Sequence, residues 1–456
     1  MFINPFRSKR NWPLLFILLC GFLALFFRYG VVYANDSYTY LNGSVRVSPL
    51  YPLLILLFQS VFSTDTYLQA LVVFQEILTA YAIFSLMAYV RERFRMRGVV
   101  WYFLGAAFAC AYILRLVMVG KEALYCNALL SEAVAYPLYF LFVKYAFAAW
   151  DEGNWKYFST AFLFAFLLAC VRGQMLFLFI FLFVEFLLLK RSAETKKAAR
   201  RLWLKMLLYA ACFFIGISAA SVAYNYALTG EASQTTMGNE VILGALLYNG
   251  GGEDASLFPD GSEERAVLAE TYAQAEAEGL TYASAPTGFL GRFQHYQSSF
   301  DPLRGVLMQV LYRQYGIESL SENEQRVAVA GFAASVVPRL FIDNLGEYLH
   351  NALVNCLGGL VRSNSILNLP GVLWSAFVYA LCAICLLLAR KFPFLAREKR
   401  FLTLILVSTL SNAVFCAFGV FELSRYVYYN FPFFYLSVAL FVSAFLPKPP
   451  QEDAAR

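Results

Sequence analysis

Apolar residues run through this chain in blocks about as long as a bilayer is thick. Such blocks occur near 13–33, 67–90, 99–118, 124–148, 203–226, 371–389, 401–420 and 430–446, and a helix needs about 20 mostly apolar residues to cross hydrocarbon. The stretch 157–189 is longer and is interrupted by Arg172-Gly173-Gln174, which predicts two short helices joined by a polar turn. The apolar segment 49–62 is short enough to be an interfacial or re-entrant piece as readily as a span. Between 329 and 361 the apolar positions turn periodic. That pattern predicts an amphipathic helix lying on the membrane surface, broken at Pro338 and walling off a cavity. The long hydrophilic stretch, 228–369, carries the turn signals Gly250-Gly251-Gly252 and Pro259-Asp260-Gly261 and an acidic, Ala-rich patch from Glu263 to Glu278. These predict a small subdomain rather than a linker.

Composition supports the membrane reading. The chain of 456 residues is 60% hydrophobic and 14% charged, against roughly 45–50% and about 25% in soluble domains. Its 45 Phe and 30 Tyr suit lipid-facing surfaces and interfacial belts. The expected fold is therefore all-α and polytopic. The net charge of +6 lies in short clusters between apolar blocks, so topology accounts for it and no nucleic-acid partner is implied. The clusters are Arg7/Lys9/Arg10, Arg91/Arg93/Arg95/Arg97, the run Lys190 to Lys205, and Arg390/Lys391/Arg397/Lys399/Arg400. All four face the cytoplasm only if 49–62 and 325–360 do not span. This gives about ten spans, within a range of roughly eight to twelve, with both ends cytoplasmic. The basic N-terminus followed by a long apolar block without an A-x-A site reads as a retained first span. Nine scattered Cys and two His argue against a zinc or disulfide framework. No internal repeat is visible, which argues against inverted-repeat transporters.

This topology divides the chain into an N-terminal membrane domain, 1–227, whose first outer loop is 34–66, an extracytoplasmic segment, 228–369, and C-terminal membrane helices with a short tail, 370–456. Polar residues gather on the outer side, and intramembrane charge is a functional candidate by default. Asp36 follows the first span. It is placed to act as a general base, to hold a metal, or simply to cap a helix. Glu132 is expected about two turns into its span, as a functional carboxylate or as packing glue. Arg172, at the tip of the interrupted hairpin, is suited to clamping a phosphate or to capping carbonyls. Glu422 and Arg425 either pair with each other or line a pocket with Tyr428 and Tyr429. Arg46 and Lys121 add cations on the same side, and Glu76 is expected to face the cavity of Asp36. Neither His295 nor His350 is proposed as a ligand.

Several of these residues form a recognisable layout. Asp36 is followed by Tyr38, Tyr40 and Arg46-x-Ser48-Pro49-Leu50-Tyr51-Pro52; then come Leu130-Ser131-Glu132, the hairpin tip Arg172, and Glu422-x-x-Arg425-Tyr426 before an aromatic, Pro-containing span. The layout resembles the GT-C superfamily of integral-membrane glycosyltransferases, in particular bacterial relatives of protein mannosyltransferases and aminoarabinose transferases. The likeness is diffuse and covers most of 10–446. It implies a bacterial cytoplasmic-membrane enzyme with its active site on the extracytoplasmic side. The implied donor is a polyprenyl-phosphate-linked sugar, moved with inversion to a glycan, lipid or protein acceptor. It maps the catalytic carboxylate to Asp36, matches the short juxtamembrane helices to 49–62, and assigns 228–369 to covering the site and choosing the acceptor. Family members often have two adjacent acidic residues where this chain has Asp36-Ser37, so a bound divalent metal is left open. On this reading Arg46, Lys121, Glu132, Arg172, Glu422, Arg425 and Tyr428 bind the donor's phosphate or sugar. Two other readings stand beside it. A lipid or glycan transporter or flippase needs polar residues near the midplane, whereas a non-catalytic subunit of an envelope-assembly complex needs no intact Asp36.

Overall fold

The computed structural model describes residues 4–6, 8–34, 36–114, 124–190, 196–234, 236–419 and 424–447. Its regular structure is helical, with one isolated parallel bridge, Val32 to Ala128, among the described residues. Eight helical stretches there are long and apolar enough to cross a membrane: Lys9–Tyr29, Tyr67–Phe94, Glu132–Glu152, Arg200–Thr229, Glu322–Asp343, Leu369–Lys391, Pro393–Gly419 and Arg425–Ala444. Each satisfies its own backbone hydrogen bonds, as hydrocarbon requires, so the chain is built as a polytopic integral membrane protein.

The helices of the first half are α1 (Trp12–Tyr29), α2 (Ser37–Leu41), α3 (Leu50–Val61), α4 (Tyr67–Phe94), α5 (Gly98–Ile113), α6 (Glu132–Glu152), α7 (Trp155–Val171), α8 (Phe177–Lys190) and α9 (Lys196–Thr229). Helix α6 is the axis of the bundle, with 89% of its most apolar window buried, against 17% for the peripheral first helix and for the stretch Arg200–Thr229. It ends at Gly153, whose φ of 63° is left-handed, and Asn154 then caps α7 by accepting from the Lys156 amide. This two-residue turn folds α7 back along α6. The hairpin of 157–189 is interrupted as the pattern predicts: α7 stops at Val171, Arg172 is extended, and a short 3-10 turn leads into α8. Helices α5, α7 and α8 are shorter than a full span, at 16, 17 and 14 residues.

Buried carboxylates anchor both ends of α6. At one end Asp151 receives Arg93 from α4 and, at 3.1 Å each, Arg397 and Arg400 from α16 (Ala396–Gly419). At this end too, Arg91 and Tyr102 both donate to the Arg10 carbonyl. Residues of three basic clusters therefore share one end of the bundle. At the other end stands Glu132, the first residue of the helix. This corrects the expected start of the helix near 124. Residues 124–131 form turns there, because the Val32 and Leu129 amides cross-pair with the Asn127 and Val32 carbonyls at 3.0 Å.

The hydrophilic insert lies at the Glu132 end. It comprises α10 (Met237–Asn249), α11 (Glu263–Ala277), α12 (Phe289–Tyr315), α13 (Glu322–Asp343) and α14 (Leu345–Arg362). Val241, Leu246, Tyr272, Phe300, Leu307, Phe332 and Val336 form its own core, separate from that of the bundle. Helix α13, opened by a capping box between Ser321 and Glu324, buries Val329, Phe332, Val336 and Leu340 in that core. It nevertheless has the length and hydropathy of a span, where the sequence pattern expects a surface-lying helix. It also runs through Pro338 and turns only at Asn344, whose amide donates to the Leu340 carbonyl and to Asp254. Burial on both sides of the proline holds the helix together. The chain then returns to the bundle through α15 (Leu369–Lys391), α16, α17 (Ser424–Val427) and α18 (Phe431–Ala444).

Candidate functional site

The first loop is fastened to the start of α6. The bridge at Val32 and a 3.0 Å bond from Asn127 Nδ2 to the Gly30 carbonyl bring Asp36 next to Ser131-Glu132. The Ser37 hydroxyl accepts from the Ala34 amide. Asp36 occupies the N-cap position of α2, yet its side chain makes no capping bond. It is instead paired with Arg425 of α17, Nη2 to Oδ2, at 2.5 Å, and its carboxylate remains 43% exposed. The helix-cap explanation of this carboxylate is therefore not realised.

Below it, Arg172 and Glu132 form an ion pair that is almost fully buried, at 8% and 0% exposure. Arg172 also donates to Ser131 Oγ at 2.9 Å and to Gln174 Oε1 at 3.2 Å. Its guanidinium lies 4.8 Å over the Tyr426 ring and that of Arg425 lies 5.4 Å from it. Gln174 and Asn412 both donate to the Tyr426 carbonyl, at 3.0 and 2.8 Å. Tyr40 shares a hydrogen bond of 2.9 Å with Ser131. Burial pushes its phenol up to about 12, so it remains a neutral hydroxyl at physiological pH. Arg425 Nε faces Glu132 Oε1 at 3.5 Å, and neither atom has a hydrogen-bond partner. The two arginines and two carboxylates cancel in formal charge.

These groups line or underlie a cavity of about 440 Å³, large enough for a sugar with part of its leaving group. Asp36, Tyr40, Ser131, Arg172, Gln174 and Arg425 come from the bundle side, and Val241, Phe300, Asp301 and Arg304 from the insert. Arg46 also lines it, at the edge where the loop meets the insert. There the Val45 amide donates to Asn323 Oδ1, its carbonyl accepts from the Thr236 amide, and Arg46 itself approaches Glu240 at 3.8 Å.

The structure thus brings Asp36, Arg46, Glu132, Arg172 and Arg425 together. Tyr428 stands apart, buried and donating to the Ser365 carbonyl at 2.7 Å, outside the cavity lining. Lys121 and Glu422 lie outside the described residues. Glu76 does not face this cavity. It is buried in α4 against Cys126, because the turn at 124–131 covers it. Ser131, Gln174 and Tyr426 act beside the expected residues, and Glu240, Arg304 and Arg326 were not expected at all. Nothing in the sequence distinguishes those three from the other charges of a hydrophilic segment. Among the described residues no three His, Cys, Asp or Glu side chains converge as metal ligands. The acidic pair Asp36 and Glu132 is already held by arginines. Among the described residues, therefore, no carboxylate set is free to hold a divalent ion.

Comparison with protein-family models, with curated proteins and with solved structures returns no match for this chain.

Proposed function

We propose that this chain is a GT-C-type membrane glycosyltransferase. It transfers a sugar from a polyprenyl-phosphate donor to a hydroxyl-bearing envelope acceptor, on the extracytoplasmic side of the bacterial cytoplasmic membrane. The observation that carries the reading is Asp36, a carboxylate released from helix capping, oriented by Arg425, and opening into a cavity that holds a second guanidinium. In the reaction the acceptor oxygen attacks the anomeric carbon from the face opposite the phosphate, and its proton passes to Asp36. A new carbon–oxygen bond forms as the bond to the phosphate oxygen breaks. The electron pair leaves with the polyprenyl phosphate, and the sugar inverts. Arg425 stands next to Asp36 and lines the cavity, so one guanidinium can both hold the base and meet the charge developing on the leaving phosphate. Arg172, with Glu132 and Ser131 fixing its fork, supplies the second cation.

Replacing Asp36 with Asn tests the reading. The variant keeps the shape and loses the base. Transfer from a panel of polyprenyl-phosphate hexoses to cell-envelope acceptors should fall about 10²- to 10⁴-fold, with binding of polyprenyl phosphate retained. Unchanged transfer would remove Asp36 from the chemistry and end the proposal.

A further inference from the structure

At the insert side of the cavity stands a second group of cations, which share a single buried carboxylate. The buried carboxylate of Glu240, on α10, has its Oε2 2.7 Å from Arg304, 3.7 Å from Arg326 and 3.8 Å from Arg46. These arginines come from α12, α13 and the first loop, and their side chains are only 14%, 17% and 22% exposed. Counting buried groups alone, one carboxylate among three guanidiniums leaves an excess of two positive charges. The other acids in reach are solvated: Asp301, 3.6 Å from Arg304, is 71% exposed, and Glu322, 3.9 Å from Arg326, is 74% exposed. Arg326 spends one donor on the Met308 sulfur at 3.8 Å. Arg46 Nε, Arg326 Nε and Glu240 Oε1 are buried without hydrogen-bond partners.

Partly desolvated guanidiniums with spare donors are costly to hold unless an anion completes them. The planar fork suits phosphate and carboxylate oxygens. At the Asp36 end, by contrast, two arginines have two carboxylates between them, whereas here three share one buried carboxylate. We propose that the Arg46–Arg304–Arg326 cluster binds the oxyanion of an acidic sugar in the acceptor, a sugar bearing phosphate or carboxylate. This deepens the glycosyltransferase reading and rests on it for the word acceptor. Two of the three guanidiniums belong to the insert, and Arg304 and Arg46 line the cavity that contains Asp36. A bound anion there leaves the sugar's hydroxyls inside that cavity. The bundle side is left to the lipid-linked donor.

The full-length protein in detergent is titrated calorimetrically with glucose 6-phosphate, glucuronate, glucose and polyprenyl phosphate. Glucose 6-phosphate and glucuronate should bind, at least about tenfold more tightly than glucose. Arg304→Gln and Arg326→Gln should each weaken them roughly tenfold, and polyprenyl phosphate should bind as before. Glu240→Gln, which removes the internal counter-charge, should tighten both acidic sugars; a merely structural cluster would lose stability without gaining affinity. Equal binding of charged and neutral sugars overturns the proposal. So does a loss confined to polyprenyl phosphate, which would make the cluster the donor's phosphate site. If Asp36→Asn transfers normally but the acidic sugars still depend on Arg304, the transferase reading fails while the anion site stands.

Discussion

Glu132 is fully buried, and Arg172 depends on it more than on any other group. An ion pair removed from water is tolerated when both partners are present, but becomes expensive when one is lost. Glu132→Gln leaves the Arg172 guanidinium without its counter-charge, and the protein should lose about 3–5 kcal/mol of stability, read as a lowered thermal midpoint in detergent. Replacing the pair together, Glu132→Leu with Arg172→Met, should restore much of that stability and none of the transfer activity. A pair that matters only for packing would let activity return as well. The same cost explains why these residues were legible beforehand. Asp36, Glu132, Arg172 and Arg425 are charges in or beside apolar blocks, where a charge needs a reason. Glu240, Arg304 and Arg326 lie in a polar segment, where charge is ordinary. Only the folded insert turns them inward.

At the scale of elements, periodicity located the helices better than it placed their ends. It found the short α3, the broken α7–α8 hairpin and the acidic α11. It missed the start of α6, because the bridge from Val32 to Ala128 joins residues far apart in sequence, and it placed a break at Pro338 that packing overrides. One junction the pattern did not reveal can be titrated. Asp254, in the 3-10 turn before α11, accepts from Tyr272 at 2.5 Å and from Asn344 at 2.9 Å, tying α11 to the α13–α14 corner. Burial nonetheless raises its carboxyl above the usual range. A carboxyl raised by folding binds its proton more tightly in the folded state, so its contribution is largest below the unfolded value of about 3.9. That contribution is lost as pH rises through the raised folded value. Hydrogen exchange in 252–277, corrected for intrinsic rates, should therefore show greater protection in mild acid than at neutral pH. Asp254→Asn should flatten that dependence; an unchanged slope would assign it to another group.

For the molecule as a whole, charge clustering anticipated that basic residues would collect at one end, and Arg93, Arg397 and Arg400 meet there on Asp151. What it could not anticipate is that the opposing carboxylate, Glu132, begins the same helix. At 1.5 Å per residue, the 19 steps of α6 from Glu132 to Asp151 hold these two polar groups about 28 Å apart, close to the hydrocarbon thickness of an ordinary bilayer. The central helix therefore acts as a fixed gauge. Reconstituted in monounsaturated phosphatidylcholines of short, medium and long chain, the protein should turn over fastest in the medium lipid. It should slow in the long one, where hydrocarbon would reach the Asp36 mouth, and an indifferent rate across the series would separate catalysis from mismatch. A protein calibrated in this way would be sorted among membranes by how thick they are as well as by what they contain.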